Sequence, residues 1–227
     1  MPSDRRARRR QETVEEILDI SNAVMLEEGV NGLSIAEVAR RLGVQPPSLY
    51  KYFSSLMAVY DALFLRAARE HLAVMREAMA TAEPGLAALI AGLDAAGRWS
   101  VENRALAQLL FWRTVPSFEP SPESFAPSVE MVALNRQGLA DAVAAGQLGP
   151  EADSEEGIAF LSIISSGTFS QSVANEPELP WGEGRFSPLF PKLMHLLPAA
   201  YPPKPSAKSR RTTPARSSPR ARRRPGT

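Results

Sequence analysis

Apolar residues recur every three to four positions along most of the chain and hardly anywhere at every second one. That period belongs to helices and not to strands, so the pattern predicts an all-α protein. The first stripe is Val14, Ile17, Leu18, Val24 and Met25, with Ser21 between them. Thr13 and Glu16 have the spacing of a capping box, and Gly29 stands where a helix would end in a left-handed cap. Ser34 and Glu37 repeat the box. Ile35, Val38, Ala39 and Leu42 then make a face of only two turns before Gly43. A third helix opens at Gln45, Pro46 and Pro47, because proline fits a first turn, and ends near Phe53. Ser54 or Ser55 begins a longer helix to about Ala82, with Leu56, Val59, Leu63, Ala67, Leu72, Met75 and Met79 along its stripe. Further helices are predicted at 86–101, 103–115, 127–145, 155–175 and 188–198. Breakers separate them at Pro116 to Pro122, Gly146 to Pro150 and Pro177 to Gly184.

Charge changes this picture. The net charge of +1 conceals two basic ends. Residues 1–10 hold five arginines and one aspartate, and residues 202–227 hold nine lysines or arginines and no acid. Residues 11–201 are left with 12 bases against 24 acids, an acidic body between two basic arms. Arms of this kind bind polyanions, nucleic acid first among them. The tail also holds six prolines and no large apolar residue. It cannot offset its ordering entropy by burial, so 202–227 is expected to be a disordered tail and 1–10 a disordered arm.

The remaining chemistry is mostly exclusion. No cysteine means no disulfide, no thiol nucleophile and no cysteine-built zinc site. His71 and His195, the only histidines, are too far apart in sequence to suggest a metal site. No phosphate-cradling glycine loop, dinucleotide fingerprint or nucleophile elbow occurs. The chain is therefore not expected to be an enzyme or to carry a cofactor. The longest nearly uncharged apolar stretch, 158–167, is about half of what a spanning helix needs. Glu12, Glu15, Glu16 and Asp19 follow the basic start where a secretory signal would be apolar. A cytoplasmic protein without a membrane partner is expected.

Residues 34–53, SIAEVARRLGVQPPSLYKYF, carry the functional signal. Two short helices meeting at a steep angle need a small residue at the crossing, which Ala39 supplies. They need a turn residue tolerant of positive φ, which Gly43 supplies. Val38, Leu42, Val44, Leu49 and Phe53 are the apolar positions that would hold the second helix on the first. This spacing is that of a helix-turn-helix. Residues 10–65 also resemble the amino-terminal domain of the TetR-type bacterial transcriptional regulators. The likeness rests on GluGlyValAsnGlyLeuSer (28–34), ValAlaArgArgLeuGlyVal (38–44) and SerLeuTyrLysTyrPhe (48–53) running into a long helix. The strong match covers about a quarter of the chain. Beyond residue 65 the likeness is one of architecture.

The resemblance implies a three-helix DNA-binding domain over 11–60, joined by a long helix to a helical ligand-binding and dimerisation domain over 61–201. In the helix opening at Gln45, that residue suits an adenine edge or a phosphate, and Pro46 and Pro47 offer apolar surface to a thymine methyl. Ser48 suits a base or phosphate, and Lys51 a guanine edge or phosphate. Tyr50 and Tyr52 are placed, by resemblance, to donate to phosphate oxygens. Ser34, at a helix start, adds backbone N–H groups for another phosphate. Arg40 and Arg41 read as a solvated helix end. The family usually has a lysine at the start of the following helix. Here Leu56 and Met57 stand there, so the arginines of 1–10 are expected to compensate.

In the body, Trp99, Phe111, Trp112, Met131 and Phe160 are the candidate lining of a cavity for an unidentified small-molecule effector. The helices at 127–145 and 155–175 are the expected homodimer surface, the second carrying Ser162, Ser165, Ser166, Gly167 and Ser170. The expected function is a ligand-responsive repressor, a homodimer on a palindromic site in double-stranded DNA. The alternative is a nucleoid-type structural protein with little sequence preference.

Overall fold

Among the described residues of this computed structural model, 2–204 with side chains from Arg5 onward, every regular element is a helix. The tail expected to be disordered lies, from residue 205, outside the described residues. The chain forms α1 (Pro2–Glu28), α2 (Ile35–Leu42), α3 (Pro46–Leu49), α4 (Leu56–Thr81), α5 (Leu86–Glu102), α6 (Arg104–Phe111), α7 (Pro122–Ala144), α8 (Glu155–Asn175), α9 (Phe190–Met194) and α10 (Leu196–Ala200). Short 3₁₀ turns stand at Val30–Gly32, Pro150–Ala152 and Ser187–Leu189.

The amino terminus corrects the sequence reading. Residues expected to form a loose arm are the opening turns of α1, which starts at Pro2 instead of Thr13. Nothing after Pro2 breaks a helix, arginine is a strong helix former, and Arg8 pairs with Glu12 one turn on at 3.0 Å. Thr13 does not cap. Its hydroxyl donates to the Arg9 carbonyl at 3.0 Å, inside the helix. Gly29 has φ 82° but an extended ψ of 161°, so α1 ends without the expected left-handed cap and turns into Val30–Gly32.

Three other ends moved. α7 begins at Pro122, earlier than predicted, because Ser121 caps it, its hydroxyl accepting from Ser124 N at 3.2 Å. Asp61 on α4 braces that cap, accepting from Ser121 N at 2.7 Å and from the Ser124 hydroxyl at 2.8 Å. α6 stops at Phe111, where Trp112 turns extended. The single helix expected over 188–198 is two short ones, α9 and α10.

α4 is the shaft of the molecule. Its buried residues Val59, Leu63, Ala67, Leu72 and Met75 follow the predicted stripe, widened by Tyr60, Phe64, Ala68 and His71. It packs on α5 and α7 along its length and on α1 at its start. The boundary expected at residue 60 therefore falls inside a continuous helix. Two contacts lock this shaft to the amino-terminal helices. The buried Tyr60 hydroxyl donates to the Val30 carbonyl at 2.7 Å, and the Arg66 guanidinium is held by Asp19 and Glu15 of α1. α8 packs on α5 and α9. By length and composition it is apolar enough to cross a membrane, with a mean hydropathy of 1.2 over 18 residues, although its longest uncharged run suggested otherwise.

Candidate functional site

The segment 34–53 folds as its spacing predicts. Ser34 caps α2, accepting from Glu37 N at 3.2 Å, so its hydroxyl hydrogen still has a role to fill. Gly43 ends α2 in the left-handed region, φ 70° and ψ 27°, and its N–H reaches the carbonyls of Ala39 and Arg40. An L side chain would be strained at that φ, although the space around it is open. Ala39, fully buried, lets the following turn close on it, with Val44 N bonded to the Ala39 carbonyl at 3.0 Å.

α3 is only Pro46–Leu49, shorter than expected, and the chain continues to Phe53 as turns closed by Tyr52 N and Phe53 N on the Leu49 carbonyl. Leu49 and Phe53 are buried beneath it and hold it down. Val44, expected in the same contact, is instead largely exposed. The opposite side is polar and open. Gln45, Pro47, Tyr50 and Lys51 are exposed, and Pro46, Ser48 and Tyr52 stand at its rim. All eight residues singled out in the sequence, Ser34 included, thus lie on α3, its flanks or the cap of α2.

The local cations divide into two kinds. Arg40 and Arg41 are spent within the protein. Arg40 forks onto Glu37 at 2.8 and 2.6 Å. Arg41 bridges Glu37 at 2.7 Å to Glu27 of α1 at 2.8 Å, tying α2 to α1. Hydrogen bonds from Arg40 and then Arg41 hold the Glu37 carboxyl down to about 2. Lys51 and, of the exposed arginines of α1, Arg10 remain at the open side. The Arg10 guanidinium donates to the Lys51 carbonyl at 3.0 Å and lies over the Tyr52 ring, 5.2 Å from its centre. Sequence reasoning missed this contact, since 41 residues separate the partners. The extension of α1 back through Arg10 brings them together.

The body has two features of interest. The outer face of α7 and α8 exposes Phe125, Val129, Val132 and Ile163, the last to 72%. A shallow hollow of about 570 Å³ runs along α7 there. The neighbouring hydroxyls are turned inward along their own helix. Ser162 bonds to the Ile158 carbonyl at 2.8 Å, and Ser166 to the Ser162 carbonyl at 2.6 Å. The face is therefore smoother and more apolar than its serine count suggests.

The second feature is a cavity of about 270 Å³, partly open to solvent, bordered by α4, α5, α6, α7 and α8. Of the five candidate lining residues, Phe111 and Met131 border it. Trp99 stands behind, edge-on to His71 with ring centres 5.2 Å apart. Trp112 borders a separate 200 Å³ space and donates to the Ser170 hydroxyl at 2.8 Å. Phe160 packs on Tyr201 instead. His71 was not singled out, although it lies four residues from both Ala67 and Met75 on the predicted stripe. It is buried, and burial lowers its ring to about 4, so it is neutral at pH 7.

The sequence model of the family described as "Bacterial regulatory proteins, tetR family" matches residues 17–63. A curated relative, an "Uncharacterized HTH-type transcriptional regulator YobS" of Bacillus subtilis (strain 168), is 30% identical over 87 residues. That stretch is 38% of this chain and 45% of the relative, so less than half of that relative's length is matched. Among solved structures, a bacterial regulatory protein in the tetR family from Rhodococcus RHA1 superposes with a TM-score of 0.63 at 18% identity, covering 81% of this chain and 94% of that one. The transcriptional regulator FadR from Bacillus subtilis, solved with stearoyl-CoA, superposes with a TM-score of 0.67 at 15% identity, covering 81% and 96%. These likenesses extend the fold match beyond the helix-turn-helix to the body.

Proposed function

We propose that the chain, whose residues 17–63 match the tetR-family model, is a TetR-type transcriptional regulator, a ligand-responsive repressor acting as a homodimer on a palindromic operator. The observation that carries this reading is the two-sided build of residues 45–53. Leu49 and Phe53 anchor it from below, and Gln45, Pro47, Tyr50 and Lys51 stand open above. In this reading Gln45, Pro46, Pro47, Ser48 and Lys51 face base edges, while Ser34, Tyr50 and Tyr52 grip phosphates.

One such short helix reads few base pairs. Pairing two copies through the apolar face of α7 and α8 sets two of them about 34–36 Å apart, on successive turns of DNA. Effector response follows from the shaft. α4 carries Tyr60 and Arg66, bonded to the amino-terminal helices, and also Asp61, bonded to the cap of α7. A ligand that favours one position of α4 shifts the spacing of the two recognition segments, provided it binds the DNA-incompetent state better.

The test is selection of bound fragments from genomic DNA with purified protein, followed by competition with bulk DNA. The expected result is a shared inverted repeat bound at least about 10³-fold better than bulk DNA. Uniform binding without a shared repeat would instead favour a structural nucleoid role.

A further inference from the structure

Buried polar atoms in a folded protein nearly always have partners. Five buried side-chain atoms among the described residues have none, and three of them border the single 270 Å³ cavity: His71 Nε2, Ser128 Oγ and Asn135 Oδ1. Chance scatter over the molecule would not gather them there. Ser128 and Asn135 lie two turns apart on one side of α7, with Met131 between them and His71 facing Met131 from α4.

The donor and acceptor roles can be assigned. His71 Nδ1 lies 2.9 Å from the Met131 sulfur, a weak acceptor with no hydrogen to give. Nδ1 therefore carries the proton, and Nε2 is a bare acceptor. Asn135 Oδ1 is an acceptor too, and the Ser128 hydroxyl can both give and accept. What is missing inside the cavity is a hydrogen-bond donor. The rest of the wall is apolar and partly aromatic, with Phe111, Phe125 and Phe169, apart from Ser162, Ser165 and Ser166 of α8, whose hydroxyls donate to carbonyls of their own helix. No lysine, arginine, aspartate or glutamate borders it. A carboxylate or phosphate there would lose part of its hydration and meet no counter-charge. The volume lies just under the range of about 300–1,000 Å³ usual for drug-sized ligands, which points to a small occupant.

We propose that this cavity binds a small, uncharged, largely apolar molecule bearing a hydroxyl or N–H, with His71 Nε2 and Asn135 Oδ1 as its acceptors. The assignment rests on the effector reading above and names the chemical class of the effector. It also sets this site apart from one built for a thioester with a polyanionic head, despite the shared fold with FadR.

The experiment uses the full chain and three two-ring probes, 2-naphthol, naphthalene and 2-naphthoate, with calorimetry for affinity and ¹⁵N-histidine spectra for location. With two histidines in the chain and His195 exposed, the spectra hold one reporter and one internal reference. The expected result is that 2-naphthol binds about tenfold more tightly than naphthalene, and that 2-naphthoate does not compete. The His71 Nε2 signal should move while His195 stays. His71→Phe should erase the preference for the hydroxyl. Asn135→Leu should weaken it without unfolding the chain, so a misfolded first variant does not end the test.

Equal binding of naphthol and naphthalene, tighter binding of naphthoate, or no binding of any probe overturns the proposal. DNA release is read separately. Naphthol bound at His71 with DNA affinity intact upholds the site and ends the effector reading. Release by a compound that leaves His71 unmoved keeps the effector reading and overturns the site.

Discussion

The head of the molecule, α1 to α3, and the body it rides on manage polar groups in opposite ways. In the head, charges are matched inside a tight web. Glu37 takes both Arg40 and Arg41, and Arg41 continues to Glu27, so the frame is fixed by ion pairs and caps. One buried acceptor there, Asn22 Oδ1, has no partner, but the open groups of residues 45–51 face outward. In the body the arrangement is reversed. Three unpaired polar atoms are turned inward around a cavity, and large apolar side chains are turned outward on α7 and α8. A rigid frame with an outward polar edge suits recognition of a fixed, charged partner such as duplex DNA. An interior with unmet hydrogen bonds and an exterior with unmet apolar surface suits two further partners, a small molecule and a second copy of the chain.

The most severe way to break that contrast is to put charge on the outer apolar face. Ile163→Asp places a carboxylate at the most exposed large apolar position. The core beneath is untouched, so melting should hardly change. Sedimentation should show monomers. Without the linked second recognition segment, operator affinity should fall by about 10²- to 10⁴-fold. A dimer that survives this substitution would mean that α8 is not at the pairing surface.

How much of this was legible in the sequence follows the same division. The helix-turn-helix was readable because its constraints are local. Gly43 needs positive φ, Ser34 caps three residues ahead, and Leu49 and Phe53 lie four apart on one face. The arm was misread because charge density suggested looseness, whereas the Arg8–Glu12 pair and the absence of a breaker favour helix. Arg10 against Lys51, Tyr60 against Val30 and Asp61 under the α7 cap join residues 30 to 60 apart, and no local pattern encodes them. Of the five candidate lining residues, two border the 270 Å³ cavity. Phe111 and Met131 were chosen for being apolar, and the same criterion also drew in Phe160 and Trp112, which belong to other contacts. The informative signal was a polar residue inside an apolar stripe, His71, which a search for apolar lining passes over.

Acid should separate head and body by their titration windows. His71 is neutral when folded, with its ring lowered by burial to about 4 from 6.5. Between those values the unfolded chain binds a proton that the folded chain does not. Stability is therefore full above pH 6.5 and falls as pH drops to about 4, by about 3 kcal/mol at most. Glu37 is lowered from 4.5 to about 2 by the hydrogen bonds of Arg40 and Arg41, so its contribution is full above 4.5 and lost as pH falls to 2. Melting curves from pH 7 to 2 should show the His71→Phe variant flattened in the upper window and the Glu37→Gln variant in the lower. If both variants flattened the same window, the head and body would not differ in this way.

The smallest expected effect concerns the basic start of α1. As part of a helix its arginines are exposed on α1, and only Arg10 touches residues 50–52. Removing residues 1–9, which leaves Arg10 in place, should weaken binding to operator and bulk DNA alike, leaving their ratio nearly unchanged. The slope of log affinity against log salt should become shallower by about 0.9 for each phosphate that is no longer neutralised. Arg10 is the exception within the group, because it donates to the Lys51 carbonyl and lies over Tyr52. Arg10→Ala alone should therefore lower the operator-to-bulk ratio as well, by about fivefold if that hydrogen bond is worth about 1 kcal/mol to the bound geometry of residues 50–52. An unchanged salt slope after truncation would mean that the start of α1 never reaches the duplex, and would leave Lys51 and the backbone at α2 to hold the phosphates.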